Sequence, residues 1–292
     1  MKNILKKISR LLPDRIYLKV KYFIKFKKRL NLSNPKTFNE KMQWLKIYDR
    51  KDIYTTMVDK YEAKKYVENI IGNEYIIPTL GVYNKFDDIN FENLPNQFVI
   101  KCTHDSCGLI IVKDKKNIDM RAAREKINKC LKNNYFYSGR EWPYKNVKPR
   151  IIIEPYLEDY KYKELRDYKF FSFSGNVKFL FVATNRQGNG DTFFDFYDKD
   201  FNHLDIINGH PMNPSLPEKP LNYNKMIELA EKLSKGIKQI RIDFYEVNGK
   251  IYFGELTFFH WSGFVPFVPE KWDIEFGKYI NLSINKKEDK NE

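Results

Sequence analysis

An α+β fold built mostly from antiparallel hairpins is what this sequence predicts, with an α/β arrangement as the neighbouring alternative. Three observations carry that expectation. Apolar runs of strand length come in adjacent pairs, as in "FVIKCTHDSCGLIIVKD", "DYKFFSFSGNVKFLFVATNR" and "IRIDFYEVNGKIYFGELTFF". The last pair is joined by Asn248-Gly249, the strongest short-range hairpin signal. Between and before the pairs lie segments whose apolar residues recur at helical spacing.

The chain has 292 residues, of which 42% are apolar and 16% aromatic, enough for a sizeable core and too much for a disordered polymer. Its three cysteines, Cys102, Cys107 and Cys130, form no CxxC pair and no even framework, which fits a reducing cytoplasm. No run approaches the ~18 apolar residues of a membrane-spanning helix. The first residues lack the apolar core and small-residue cleavage site of a secretory signal. The net charge of +14 is concentrated: residues 1–30 hold eleven Lys or Arg against one acid, Asp14, so the rest of the chain carries only about +4.

In chain order, Ile4, Leu5, Ile8, Leu11 and Leu12 trace one amphipathic helix that Pro13 ends, and "RIYLKVKYFIKFKKRL" begins another. Residues 33–71 read as helical. A cap precedes Phe38, Met42, Leu45 and Tyr48 at helical spacing, then Val58, Tyr61, Tyr66, Val67 and Ile70 continue to Gly72. "YIIPTLGVY" is strand-like and "FDDINFENLPNQ" reads as turns. The first strand pair follows, then a Lys-rich helix over 119–134. "RIIIEPYLED" is a strand running into a turn, the second hairpin comes next, and "NYNKMIELAEKLSKGI" is a helix before the third hairpin. The expected organisation is a basic arm over 1–32, one domain over 33–284 and a disordered tail over 285–292.

The third hairpin poses a chemical problem. Asp243 and Glu255 sit among hydrophobic residues on opposite strands, and a buried lone carboxylate is very costly. A cation must answer them, and an oxygen-only donor pair suits Mg²⁺. Arg241 lies two residues before Asp243, and His260, just beyond the second strand, is expected near a substrate. Upstream, Lys101 ends a strand that opens into a short polar loop closing at Gly108, the kind of backbone-and-lysine arrangement that cradles phosphates. Lys60 stands at the start of a helix.

The order Asp59-Lys60, Lys101 with its loop, "IIIEPYL", "DYKFF" and "RIDFY…GELT" resembles the ATP-grasp superfamily of carboxylate–amine ligases. "NPKTFNEKMQWLKIYDR", "GREWPYKNVKPRIIIEPYLED" and "YEVNGKIYFGELTF" are similar to its TupA-like, teichuronopeptide-biosynthesis branch over roughly 33–275. The resemblance implies ATP and Mg²⁺ as cofactors and assigns roles. Lys60 and Lys101 would contact phosphates, with Thr103 to Gly108, including His104 and Ser106, as the phosphate flap. Glu154, Tyr156 and Leu157 would read adenine, Asp167 the ribose, and Lys169 would face the same cleft. Asp243, Glu255 and Thr257 would hold metal, and Arg241 would stabilise phosphoryl charge. Thr257 replaces the superfamily's asparagine, and Asp105 and Cys107 stand where more glycine is usual.

The implied reaction is ATP-dependent amide formation through an acyl phosphate in bacterial surface polysaccharide synthesis, such as a capsule. It would join an amino acid or amino sugar to a sugar carboxylate, and a lipid-linked acceptor would explain the basic arm. A sugar kinase or glycosyltransferase-like transferase on the same cleft is the alternative. His104, His203, His210 and His260 are too scattered for a helix-borne zinc site, and there is no GxSxG elbow. The arm reads either as a surface for anionic membrane at the cytoplasmic face or as a helical hairpin packed on the body. Nucleic acid is not expected, since no recognition motif accompanies the arm.

Overall fold

The computed structural model describes residues 10–186 and 190–282. Of the expected helix from Ile4 to Leu12 only residues 10–12 are described, 10 and 11 of them helical, and the expected tail over 285–292 lies outside the described residues. Eight α-helices are described: α1 (Asp14–Phe26), α2 (Phe38–Tyr48), α3 (Ile53–Val58), α4 (Glu62–Ile71), α5 (Met120–Leu131), α6 (Phe136–Gly139), α7 (Tyr223–Leu233) and α8 (Lys271–Lys278). The strands are β1 (Gly81–Tyr83), β2 (Phe98–Cys102), β3 (Leu109–Val112), β4 (Ile151–Pro155), β5 (Asp167–Phe173), β6 (Asn176–Thr184), β7 (Phe193–Asp198), β8 (His203–Leu204), β9 (Ile240–Val247) and β10 (Lys250–Thr257). They form a small sheet in the order β1-β4-β2-β3 and a large one in the order β10-β9-β5-β6-β7-β8. Every strand pairing is antiparallel, so the fold is α+β.

Strand alternation decides which side of each sheet can do chemistry. In the small sheet Phe98, Ile100, Cys102, Ile151 and Ile153 pack against Ala123, Ile127 and Cys130 of α5. The intervening residues Val99, Lys101 and Glu154 therefore face the other way. In the large sheet Tyr168, Phe170, Ile240, Ile242 and Phe244 share a core with Met226, Leu229, Ala230 and Leu233 of α7. Ser172 and Ser234 meet there at 2.6 Å. The opposite side of β5, β9 and β10 carries the charged residues.

Helix α2 starts at the expected cap. Thr37 accepts from the Glu40 N–H while the Glu40 side chain accepts from the Thr37 N–H, a capping box. The expected continuous helix from Val58 to Ile70 is broken at Asp59, whose carboxylate instead accepts from the Tyr61 N–H at 2.9 Å and starts α4. Strands β7 and β8 and helix α8 are not anticipated from the sequence. The Asn248-Gly249 turn has φ of 52° and 77°, the left-handed pair a two-residue hairpin requires. The turn also holds a second segment in place. The Tyr160 N–H donates to Asn248 Oδ1 at 2.9 Å, and the Asn248 N–H donates to Asp159 Oδ2 at 2.7 Å. The linker from β4 to β5 is thus fastened to the hairpin tip.

Candidate active site

Two joined cavities lie between the sheets. One, of about 190 Å³, has apolar walls from Ile77, Val99, Ile111, Leu157 and Leu165, with Glu154 and Tyr156 along one side. The other, of about 140 Å³, is lined by Lys60, Lys101, Ser106, Lys169, Arg186 and Glu255 among others. Lys101, Leu109, Glu154, Arg186 and Tyr245 belong to both. An apolar slot thus opens into a polar chamber.

The chamber's cations are held by named partners. Lys101 reaches Glu154 Oε2 at 2.5 Å and Lys64 reaches Oε1 at 2.5 Å. Burial works against an ionised Glu154, but the two lysines outweigh it and hold the carboxyl below its usual range. Lys64 is not anticipated from the sequence, although it follows Lys60 by one helical turn. Lys60 itself is anchored on both sides. Its N–H donates to the Thr103 carbonyl at 3.1 Å, its Nζ to the Asp105 carbonyl at 2.7 Å, and the neighbouring Asp59 takes Arg150 at 2.7 Å.

The loop after β2 does not present the expected cradle of free amides. Asp105 Oδ1 accepts from the Cys107 and Gly108 N–H groups at 2.9 and 3.1 Å. An acid that would be unhelpful beside phosphate is therefore turned into its own loop. Gly108 serves packing, not phosphate approach: a Cβ there would lie 2.4 Å from Cys102 Sγ and 2.6 Å from Cys130 Sγ. His104 is also turned away, its Nε2 lying 3.1 Å from the Cys130 carbonyl on α5. Ser106 and Gly108 do line the chamber.

On the large sheet one irregularity sets the arrangement. Pairing from the Asn-Gly turn would put Gly254 opposite Asp243, but a bulge between Phe253 and Glu255 brings Glu255 opposite Asp243 instead. Both carboxylates then share a face with Arg241, Thr257, Lys169 and Asp167. A Cβ on Gly254 would stand 3.1 Å from the Asp243 carbonyl oxygen and 3.1 Å from the Tyr245 ring, so glycine suits the bulge.

Asp243 is wholly buried. Arg241 grips both its oxygens, Nε to Oδ1 and Nη2 to Oδ2 at 2.7 Å each, and Lys169 bonds Oδ2. Arg241 Nη2 also reaches Glu255 Oε1 at 3.2 Å and Thr257 Oγ1 at 3.1 Å. Glu255 alone of the three expected metal ligands lines the chamber. Burial opposes its ionisation, yet Lys60, Lys169, Arg241 and Arg186 together hold its carboxyl far below the usual range. The donor set of Glu255, Asp243 and Thr257 is all oxygen and adjacent across the bulge, and Asp243 Oδ1 accepts only from Arg241 Nε among the described residues. An oxygen-only set is the kind a hard divalent cation takes, and Glu255 is its one member open to the chamber, Asp243 and Thr257 being engaged by Arg241. Asp167, expected to meet ribose, is instead fully buried and paired with Arg186 and, at 3.3 Å, with Lys169. Arg186, just beyond the end of β6, is not anticipated from the sequence. Arg241 likewise stands behind the carboxylates, outside the lining.

His260, expected near a substrate, is instead buried behind Arg241. Arg241 Nη1 donates to His260 Nδ1 at 2.8 Å, so the ring proton sits on Nε2, which donates to Asn208 Oδ1 at 2.8 Å. Burial, then Arg241 and Lys169, push the imidazole well below its ordinary pKa and keep it neutral. The next three residues, Trp261, Ser262 and Gly263, have φ of 49°, 57° and 60°. Such left-handed backbone costs about 1–3 kcal/mol per non-glycine residue and persists only when neighbours enforce it. Here Lys46 donates to the Ser262 carbonyl at 2.7 Å and Gln43 to the Gly263 carbonyl at 2.7 Å. The turn presents Trp261, 39% exposed, beside His210 and Phe194 at ring distances of 5.7 and 6.0 Å.

A small sheet and a large sheet enclosing a slot and a cationic chamber, with carboxylates at its floor, define an ATP-grasp clamp, the fold of ATP-dependent ligases. The chain belongs to the TupA-like ATP-grasp family, whose sequence model matches residues 40–281. No curated protein matches the sequence. Among solved structures the chain is similar to D-alanine–D-alanine ligase from Helicobacter pylori, at 16% identity and a TM-score of 0.45, covering 83% of this chain and 69% of that one. It is also similar to D-alanine–D-alanine ligase from Bacillus anthracis complexed with ATP, at 18% identity and a TM-score of 0.39, covering 69% of this chain and 55% of that one. This chain therefore spans little more than half the length of the second.

Proposed function

We propose that this chain is a carboxylate–amine ligase of bacterial surface polysaccharide synthesis, spending ATP to join an amino acid or amino sugar to a sugar carboxylate. The observation that carries the reading is the apolar slot continuous with a chamber of four cations, Lys60, Lys101, Lys169 and Arg186. Adenine fits the slot along Glu154 to Leu157, and the polyphosphate fits the chamber. Glu255, with Asp243 and Thr257, would hold Mg²⁺, which when bound neutralises phosphate charge. Arg186, oriented by Asp167, takes a further phosphate-facing position.

A substrate carboxylate oxygen attacks the γ-phosphorus, the bond to the β-phosphate oxygen breaks, and ADP leaves with an acyl phosphate formed. An amine nitrogen then attacks the acyl carbon, phosphate departs with the bonding pair, and the nitrogen loses a proton. Lys60, Lys169 and Arg186 offset the charge that accumulates, and Arg241 keeps the carboxylates aligned. The exposed Trp261 face, stacked with Phe194 and tilted against His210 next to the Arg241–His260 pair, suits the apolar face of a pyranose. We place the acceptor on a lipid carrier and the enzyme in the cytoplasm.

The test supplies ATP, Mg²⁺, a uronic acid and an amine, and follows ADP and product mass. Amide formation is expected, and hydroxylamine in place of the amine should trap a hydroxamate. A phosphate ester formed without any need for a carboxylate would replace this reading with a kinase.

A further inference from the structure

Helix α1 has two apolar faces, and among the described residues only one is packed against the protein. Leu18 and Tyr22 are buried against the body. Tyr17 donates to the Ser138 carbonyl at 3.0 Å, Lys21 bonds the same carbonyl, and Asp14 pairs with Arg50 at 2.7 Å and Arg140 at 3.1 Å. The outer face carries Ile16, Val20, Phe23 and Ile24, each between 49% and 58% exposed, at positions i, i+4, i+7 and i+8. Leu11, 86% exposed, precedes them. Lys19, Lys27 and Arg29 lie beside this ridge and are exposed, Lys28 is exposed and paired with Glu270, and the helix's one acid, Asp14, is turned inward to its arginines.

We infer that this outer face is a docking surface for an anionic lipid bilayer, on which α1 lies in the plane of the headgroups. An apolar ridge flanked by cations on a helix of 13 residues, about 20 Å long, is the pattern of an interfacial helix. Anionic headgroups complement the cations while the acyl boundary takes the ridge. A second copy of the chain complements neither: two such faces would oppose their cations, and one helix ridge falls short of the roughly 800 Å² per partner of a stable interface. The inner face of α1 rests on Ser138 and, through Lys21 at 4.5 Å, on the Phe264 ring just beyond the Trp261 turn. The docking itself does not rest on the ligase reading.

The experiment is sedimentation of the full chain with vesicles of phosphatidylcholine, with and without about one third phosphatidylglycerol. Binding to the anionic vesicles is expected, falling steeply between low and physiological salt as exposed charges are screened. The double variant Phe23→Glu/Ile24→Glu should bind at least about tenfold more weakly. Its melting temperature and its rise with ATP should match the parent's, which separates this result from any failure of the nucleotide site. Should that variant melt early, the reversal Lys27→Glu/Arg29→Glu, outside the helix, supplies the same comparison. Failure of the parent to sediment with anionic vesicles at low salt overturns the inference. So does equal binding by the variants, or a parent dimer that the double variant converts to monomer without change in vesicle binding.

Discussion

Asp243 and Glu255 face each other across a bulge, yet their substitution should have different consequences. Asp243 is the counter-charge of two buried cations, Arg241 and Lys169. Asp243→Asn leaves them underneutralised, so the variant should lose about 3–5 kcal/mol of stability as well as turnover. Glu255 has a side chain 35% exposed to the chamber. Glu255→Gln should therefore abolish ADP release while lowering the melting temperature less than Asp243→Asn does. Equal melting curves for the two variants would contradict the burial assigned to Asp243. His260 supplies a pH test. Its folded pKa lies below the ordinary value, so the unfolded chain binds more protons below about pH 6.5 and stability must fall as pH drops through that range. Denaturant titrations at pH 7.5 and 5.5 should show that loss, and His260→Asn should flatten it.

At the scale of elements, the hairpin of β9 and β10 shows what a sequence discloses. Asn-Gly forces its turn, so both strands are legible from their composition. The pairing of Glu255 is not, because a register shift is decided by which backbone can approach its neighbour, here Gly254 over Asp243 and Tyr245. An isolated glycine within a strand is the available signal. The loop after β2 is similar: its polar residues are visible, but Asp105 capturing its own amides depends on loop geometry. Gln43 and Lys46, polar residues of α2 outside the apolar spacing of Phe38, Met42 and Leu45, are buried under the Trp261 turn. Gly254→Val should cost about 1–3 kcal/mol by overpacking and reduce turnover beyond what unfolding explains, because Glu255 would leave the face of Asp243. Comparing initial rates with the folded fraction by circular dichroism at one temperature checks this.

At the scale of the whole molecule, the clamp should respond to its nucleotide as one unit. ATP with Mg²⁺ at a hundred times its dissociation constant should stabilise the native state by about 2.7 kcal/mol, raising the melting temperature. Lys101→Ala should shrink that rise without unfolding the protein, since Lys64 remains on Glu154. An undiminished rise, measured by calorimetry, would remove Lys101 from the phosphate site. The fastening of the β4–β5 linker to Asn248 bears on how fast the clamp fills. With Asp159 and Tyr160 already tied to the hairpin tip, the linker's freedom is given up during folding and not at each encounter with ligand. Capture of ATP then involves little conformational search, and its association rate should be governed by diffusion and by steering of the polyphosphate toward the lysines.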